Sequence, residues 1–341
     1  MAAEIAEAPA VAARGLTNPA LADVVGAIQA LDPPLLVLCG RGSSGHAASY
    51  LRHLWEVAWG RPATIAVPSI TTLYGRSPAP AGSLFVAISQ SGQSPDLVQC
   101  AEAARTAGAM TVALVNVADS PLAAAVTHVV PLLAGPERSV AATKSVVAAM
   151  VAGAALMARL GDTALARALP ALPEQLERAL GQDWSAWRTS LISARGAFIA
   201  GRGPALGPAR ELALKLAECL GLPSAGYSSA ELRHGPRGAI TGQTPVLVLR
   251  QADPSAPGTD ALVASLSAAG EPVFVAGDGT GGGTGGGSGG GIALPTVSTD
   301  HSALAPIAML LPAYQAIEAA ARELGRNPDH PRHLSKVTET V

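Results

Sequence analysis

The sequence predicts an α/β fold of two similar halves, each with a parallel β-sheet that carries helices on both faces. Two observations support this prediction: short apolar, β-rich runs alternate with helical stretches, and the alternation occurs twice along the chain. The length of 341 residues is sufficient for two domains of ordinary size. Hydrophobic residues make up 49% of the chain and charged residues 14%, which excludes global disorder.

The first half contains five predicted strands with helices between them. The strands are expected at residues 35–39, 64–67, 84–88, 110–115 and 128–131, and the helices at residues 45–57, 95–107 and 120–125. A long Ala-rich helix at about residues 142–161 closes this half. Because its apolar run is too short to cross a bilayer, we expect a buried helix there.

The second half repeats the order of the first at a spacing of 161 or 162 residues. The matched segments are 38–42 with 199–203, 85–88 with 246–249, and 107–108 with 269–270. Three landmarks at nearly one spacing indicate a tandem duplication, with the join at about residues 161–195.

The predicted domain organisation follows from this repeat. It consists of a helical arm at residues 1–34, a first domain at 35–165, a second domain at 190–325 and a tail at 326–341. Residues 277–291 are almost all glycine and fit neither half, so a surface loop is expected there.

Charge and cysteine content exclude several classes of protein. The balance of 23 basic and 25 acidic residues gives no general attraction for nucleic acid or an anionic membrane. Cys39, Cys100 and Cys219 are too scattered for a disulfide framework or a zinc site, and Cys39 and Cys219 are expected to be buried thiols. Charged residues near the N-terminus interrupt any signal-peptide pattern, so we expect a cytoplasmic protein.

A polar loop, Ser89-Gln90-Ser91-Gly92-Gln93-Ser94, follows an apolar strand and precedes a predicted helix. Ser94 is a favourable N-cap and Pro95 suits the first helical position. Backbone N–H groups, hydroxyls and the helix dipole would then point to one spot, as a phosphate site requires. Ser and Gly are also common in ordinary loops, but the position at the carboxyl end of a strand favours an anion site.

A second glycine-rich loop, Gly40-Arg41-Gly42-Ser43-Ser44-Gly45, also lies between a strand and a helix. Its glycines match a dinucleotide-binding fingerprint, which requires an acidic residue about 20 positions further on. The next strand instead ends Ala66-Val67-Pro68-Ser69, without a carboxylate. We therefore reject a nicotinamide cofactor and interpret Ser43 and Ser44 as further phosphate ligands.

The second half differs from the first in its chemistry. Its loop Arg250-Gln251-Ala252-Asp253 lacks the hydroxyls of the serine loop and is not expected to bind phosphate. Its helical spacing instead places Glu211, Lys215 and Glu218 on one face. Spacing alone favours a solvated face of ion pairs over a functional site.

Two further residues are candidates for chemistry. His234 is followed by Gly-Pro and therefore lies at a break in the structure, where a histidine is an acid–base candidate. Lys336 belongs to a polar C-terminal tail, and on spacing alone it is a surface lysine.

At these residues the chain resembles the sugar isomerase (SIS) domain family, and within it the isomerase half of the glutamine–fructose-6-phosphate aminotransferases. The resemblance extends from about residue 35 to the C-terminus and implies two tandem SIS domains, each with a parallel five-stranded sheet in the flavodoxin-like, doubly wound arrangement. It rests on residues 88–92, 135–144, 213–218, 231–236 and the tail around Lys336.

The resemblance also implies roles for individual residues. Sugar phosphate binding is implied for Ser43, Ser44, Ser89, Gln90, Ser91 and Ser94, with a backbone contact to the sugar at Val140. Glu218 would move a proton between C1 and C2 beside Lys215, and Lys336 would meet the open-chain carbonyl. His234 would open the ring in the site of a neighbouring subunit, so a homodimer is implied. The substrate is expected between the two halves, and no metal or redox cofactor is expected.

Of the departures from the family pattern, only the lack of a glutaminase-like segment bears on the expected direction of the reaction. Arg41, Ser94 and Ala142 stand where the family usually has Cys, Thr and Ser. The chain begins Met1-Ala2-Ala3-Glu4, and no segment resembles the family's glutaminase domain, so we expect deamination of glucosamine 6-phosphate to fructose 6-phosphate and ammonia. The alternatives are another amino sugar phosphate, a synthase-type subunit and a non-catalytic phosphosugar sensor.

Overall fold

The computed structural model describes residues 1–277 and 290–336, which form two compact units. The first-sheet unit contains Ala10–Glu137, Lys144–Pro170 and a short segment that begins at Ser335. The second-sheet unit contains Met1–Pro9, Arg138–Thr143 and Ala171–Leu334. Each unit is built around one parallel sheet.

The five strands of the first sheet lie where the apolar runs predict them. They are β1 (Leu36–Cys39), β2 (Ala63–Ile65), β3 (Leu84–Ser89), β4 (Met110–Val115) and β5 (His128–Pro131). Every pairing is parallel, and the strand order is β2-β1-β3-β4-β5. All residues of β1 and β3 are buried, which explains why these strands are continuous apolar runs without polar alternation.

The helices up to the end of the first half confirm the predicted pattern. They are α1 (Ala2–Ala6), α2 (Ala8–Leu16), α3 (Ala20–Leu31), α4 (Gly42–Trp59), α5 (Pro68–Thr72), α6 (Pro95–Thr106), α7 (Pro121–Ala125), α8 (Lys144–Arg159) and α9 (Thr163–Ala168). The prediction of a buried helix near residues 142–161 is confirmed by α8, which is buried from Lys144 to Met157. None of the helices among the described residues is long and apolar enough to cross a membrane.

The second sheet has the same topology as the first. Its strands are β6 (Ala197–Gly201), β7 (Ser224–Ser228), β8 (Val246–Arg250), β9 (Val273–Gly277) and β10 (Ile292–Leu294). All pairings are parallel in the order β10-β9-β8-β6-β7, which equals the order of the first sheet when the strands of each half are counted from its start. The repeat read from the sequence therefore corresponds to a repeat of topology.

The helices of the second half lie between and after these strands. They are α10 (Leu172–Leu180), α11 (Ser185–Ile192), α12 (Leu206–Leu220), α13 (Ala256–Ala268) and α14 (Ala305–Glu323). The predicted glycine-rich loop falls largely outside the described residues, since only Gly277, Gly290 and Gly291 belong to them.

Small and medium apolar side chains fill both cores, because aromatic residues make up only 3% of the chain. Ala and Val dominate the cluster beneath β1, β3 and β4, while Val and Leu dominate the cluster around β8 and β9. Cys39, Cys100 and Cys219 are free and buried, as the sequence predicted for Cys39 and Cys219.

Candidate active site

The serine loop joins the end of β3 to the start of α6 in a tightly wound path. Its backbone turns at Gly92, where φ is +65° and a Cβ would overlap Oγ of Ser120. Two serines brace the turn: the N–H of Gly92 donates to Oγ of Ser89 at 3.0 Å, and the N–H of Gln93 donates to Oγ of Ser91 at 3.2 Å. Glycine is therefore required at this position by both conformation and space.

Ser94 occupies the N-cap position of α6, and Pro95 is the first helical residue, as predicted. The hydroxyl of Ser94 makes no hydrogen bond to the first-turn N–H groups of α6, however. The cap position is thus confirmed, whereas the side-chain capping bond that serine usually forms there is not made. Within this first turn, the N–H of Leu97 donates instead to Oδ1 of Asp96 at 2.8 Å and to the carbonyl of Ser94 at 3.1 Å.

Ser43 and Ser44 lie in the first turn of α4, directly after β1. The turn before them is close-packed, since a Cβ on Gly40 would lie 2.8 Å from the carbonyl carbon and oxygen of Ser44. Because β1 and β3 are parallel neighbours, the loops that follow them leave the same edge of the first sheet. The structure therefore brings the six predicted phosphate ligands to adjacent strand ends.

The structure adds an ion pair at these loops that sequence reasoning missed. Nε of Arg41 donates to Oδ2 of Asp96 at 2.7 Å, and the Asp96 side chain is 1% exposed. The two residues are 55 positions apart, so no spacing rule could have connected them. The sequence did contain an arginine inside a glycine-rich loop. Its pairing with Asp96 can be recognised only once β1 and β3 are known to be neighbours.

The second-sheet unit contains a buried cluster of charges on α12. Nζ of Lys215 lies 3.4 Å from Oε1 of Glu211 and forms an ion pair with Glu218. The side chains of Glu211 and Lys215 are 0% and 1% exposed, whereas that of Glu218 is 19% exposed. The hydroxyl of Tyr314, from α14, donates to Oε1 of Glu211 at 3.2 Å. The alternative of a solvated helix face, which spacing alone favoured, is therefore wrong.

The protonation of this cluster follows from its charges. Burial by itself would lower the pKa of Lys215, but the negative charges of Glu211 and Glu218 outweigh burial and raise this pKa above the usual value. Lys215 is consequently held as an ammonium ion. Burial also raises the pKa of the neighbouring Cys219 thiol to about 12, so this residue stays protonated and unreactive at neutral pH.

Glu218 lies on a pocket of about 900 Å³ within the second-sheet unit. Besides apolar residues of α12, the lining includes Arg326, His330, Arg332 and His333 from the segment after α14. His333 has a positive φ of +64°, an uncommon backbone conformation for a non-glycine residue. A partly exposed carboxylate thus faces a cavity rimmed with cationic and titratable groups of the segment after α14.

The remaining predicted residues lie outside the lining of this pocket. His234 is exposed between two short 3-10 turns, Glu231–Arg233 and Gly235–Ala239, which confirms the predicted break in structure. Val140 is half-buried, and its N–H donates to the carbonyl of Asp329 at 3.0 Å. Lys336 is half-buried and is the last residue that the structure describes.

Comparisons with known proteins connect this geometry to a family. The SIS domain family matches residues 33–159, which include the whole first sheet. A candidate phosphosugar isomerase of Silicibacter pomeroyi DSS-3 is 35% identical, with a TM-score of 0.87 over 96% of this chain and 99% of that one. The chain belongs to the SIS-domain phosphosugar family.

Two other similar proteins show how broad the similarity is. A glutamine–fructose-6-phosphate aminotransferase of Methanothermobacter thermautotrophicus is 30% identical over 297 residues, which cover 86% of this chain and 50% of the relative. This SIS protein therefore spans about half the length of the curated relatives that it matches. The glucosamine-6-phosphate deaminase of Thermotoga maritima has the same fold, with a TM-score of 0.68 and 17% identity over 97% of this chain and 100% of that one.

Metal-ligating side chains are dispersed in this SIS protein. Among residues 1–277 and 290–336, no three His, Cys, Asp or Glu side chains are grouped in a way that could hold a metal ion.

Proposed function

We propose that this chain is an amino sugar phosphate isomerase and deaminase that converts glucosamine 6-phosphate and water to fructose 6-phosphate and ammonia. The observation that carries the proposal is the buried Glu211–Lys215–Glu218 cluster, in which only Glu218 is exposed to a pocket. Burial of the Glu211 and Lys215 charges is costly, and such clusters concentrate at functional sites. Membership of a phosphosugar family supplies the substrate class.

Glu218 is proposed as the base and acid that moves one proton. In the open-chain substrate it takes the proton from C2 and returns it to C1, while a proton of the amino group passes to O1, so that the aldehyde becomes a hydroxymethyl group and C2 becomes an imine. Water then adds to the imine carbon, and ammonia leaves. A carboxylate that is partly exposed to the pocket can reach a substrate carbon, whereas the fully buried Glu211 cannot.

Lys215 is proposed to stabilise the negative charge that develops on the enolamine. Its raised pKa keeps it protonated, which suits an electrostatic role and argues against Lys215 as a nucleophile that forms an imine with the substrate. Glu211, whose Oε1 accepts from the hydroxyl of Tyr314, holds the ammonium in place from the buried side. The position of the charge is thereby set before the substrate binds.

The other predicted residues complete the proposal. Ser43, Ser44 and the serine loop would bind the phosphate and fix the frame of the reacting carbons. The backbone at Val140 would contact the sugar, Lys336 would interact with the open-chain carbonyl, and His234 would assist ring opening in the site of a second copy of the chain. The exposure of His234 supports this last role, since a residue that serves a neighbouring subunit must lie on the surface.

The aminating direction is a second candidate function. It is favoured by the aminotransferase relatives that match most of this chain. The same proton transfer, run from fructose 6-phosphate with ammonia, gives glucosamine 6-phosphate. Incubation with fructose 6-phosphate and an ammonium salt, followed by chromatography for glucosamine 6-phosphate, measures this direction.

The decisive experiment is an ammonia-release assay with glucosamine 6-phosphate. We expect turnover by the wild type and a loss of about 100-fold or more for Glu218→Gln, because general acid–base catalysis contributes 10²–10⁴-fold. Glu323→Gln, which changes a half-exposed carboxylate on α14, is the matched control and should retain full activity. Equal rates for Glu218→Gln and the wild type, or no turnover in either direction by the wild type, would refute the proposal.

A further inference from the structure

The Arg41–Asp96 ion pair joins the two loops at the carboxyl edge of the first sheet. Arg41 has an extended backbone at the N-cap position of α4, directly before Gly42, Ser43 and Ser44. Asp96 is the second residue of α6, two positions after Ser94. The hydrogen bond from Nε of Arg41 to Oδ2 of Asp96, at 2.7 Å, therefore connects the glycine-rich loop after β1 to α6, the helix that follows the serine loop.

The two partners differ in their exposure to solvent. The Asp96 side chain is 1% exposed, while that of Arg41 is 50% exposed. Asp96 is also tied to its own helix, since its Oδ1 accepts from the N–H of Leu97 at 2.8 Å. The carboxylate is thus fixed inside the protein, and the guanidinium that pairs with it reaches the surface at the phosphate loops.

A buried carboxylate at this place conflicts with the binding of a phosphate. The N-terminus of α6 attracts anions, but Asp96 already supplies a negative charge to its first turn. A dianionic phosphate bound nearby by the serine loop would be repelled by this charge, and the low dielectric of the interior strengthens the repulsion. The site therefore requires a cation, and Arg41 is placed where it can meet that need.

We propose that Arg41 is a phosphate-binding residue of this chain, whose guanidinium is oriented by Asp96 and cancels the charge of this buried carboxylate beside the bound phosphate. The proposal rests on the proposed function in one respect, the presence of a sugar phosphate at the serine loop. The planar guanidinium suits this role, because it can bind a carboxylate through one edge and a phosphate through another.

The test measures binding of glucose 6-phosphate, of inorganic phosphate and of glucose by titration calorimetry. Arg41→Ala should weaken glucose 6-phosphate and inorganic phosphate by about 10-fold or more, as expected for loss of a charge-assisted contact, and should leave glucose unchanged. Arg52→Ala is the matched control, because Arg52 lies on α4 with its side chain 48% exposed and paired with Glu56. Its affinities should equal those of the wild type.

A double variant separates the electrostatic role from a structural one. In Arg41→Ala/Asp96→Asn the repelling carboxylate is absent, so glucose 6-phosphate should bind at least about 3-fold more tightly than to Arg41→Ala, although the contact with Arg41 itself is still missing. A merely structural pair would behave in the opposite way, since removal of the second partner would not restore binding. Affinity of the double variant equal to or lower than that of Arg41→Ala would overturn the charge-cancelling role.

The outcomes also distinguish this proposal from the proposed function. If the wild type binds glucose 6-phosphate through Arg41 but releases no ammonia, the deaminase proposal fails and the phosphate-binding residue stands. If the wild type releases ammonia while Arg41→Ala binds phosphate as Arg52→Ala does, Arg41 has no such role. Absence of glucose 6-phosphate binding by the wild type would overturn the phosphate site itself.

Discussion

Gly92 shows how one residue determines the shape of a predicted ligand loop. Its φ of +65° and the proximity of Ser120 and Val115 leave no space for a side chain. The serines on either side can brace the turn only because the backbone adopts this conformation. The sequence pattern identified the loop, and the close contact with Ser120 explains why its central residue is glycine.

A substitution at Gly92 should therefore lower the stability of the protein by more than the strain of a positive φ alone would. Gly92→Ala should lower the free energy of unfolding by about 2–4 kcal/mol, of which about 1 kcal/mol is strain at positive φ and the rest is overlap with Ser120. Gly135→Ala is the control, because Gly135 has a φ of +69° with nothing within 4 Å of the added Cβ. Urea unfolding of both variants measures the difference, and equal losses would show that the overlap is relieved without cost.

Lys215 shows how tertiary packing changes the meaning of a spacing. The i,i+4 and i,i+3 relations to Glu211 and Glu218 are those of an ordinary surface helix, but the lysine is buried among carboxylates. Lys215→Met should lower the free energy of unfolding by about 3–5 kcal/mol, since it leaves buried charges without a partner. The triple variant Glu211→Gln/Lys215→Met/Glu218→Gln should be markedly more stable than Lys215→Met in urea titrations, because it leaves no uncompensated charge. A triple variant no more stable than the single one would contradict this explanation.

The pH dependence of stability provides a second test of the same cluster. The folded-state pKa of Lys215 is raised above the usual 10.5, so its contribution to stability is fully present below pH 10.5 and is lost as the pH rises through the folded-state value. Relative to the triple variant, the wild type should therefore keep its stability between about pH 7 and 9 and lose it as the pH rises above 10.5. A loss of this difference between about pH 7 and 9 would contradict a raised pKa.

At the scale of an element, the stability of α12 depends on the contacts at its C-terminus. The helix ends at Leu220, and Gly221 adopts the left-handed conformation with a φ of +52°. A guanidinium nitrogen of Arg326 donates to the carbonyl of Leu220, so a cation lies at the negative end of the helix dipole. This contact also places Arg326 on the rim of the pocket that contains Glu218.

Removal of this contact should destabilise α12 without altering its buried charges. Arg326→Ala should lower the free energy of unfolding by about 1 kcal/mol, the typical contribution of a hydrogen bond to the last helical carbonyls. Arg52→Ala is the control, since Arg52 on α4 is about half exposed and its ion pair with the partly exposed Glu56 is screened by solvent. Chemical denaturation compares the two, and an unchanged midpoint for Arg326→Ala would show that the C-terminal contact contributes nothing.

At the scale of the whole molecule, the duplication explains why the strands of both halves could be located from the sequence. Apolar runs mark buried parallel strands, and each prediction in one half is supported by its counterpart in the other, as β3 and β8 illustrate. The position of α8 could be predicted as well, because its long apolar, Ala-rich run is stable only when it is buried. The candidate site was harder to predict, since spacing in the chain does not report burial.

The chain by itself determined the fold class, the repeat that relates the two halves, and the residue types available for phosphate and proton chemistry. These features depend on local propensity and on the apolar pattern, both of which can be recognised in the sequence alone. Only the tertiary structure decided that Lys215 is a buried ammonium, that Glu218 faces a cavity, and that Arg41 pairs with Asp96. Burial and contacts between distant residues are properties of packing, and no local pattern contains them.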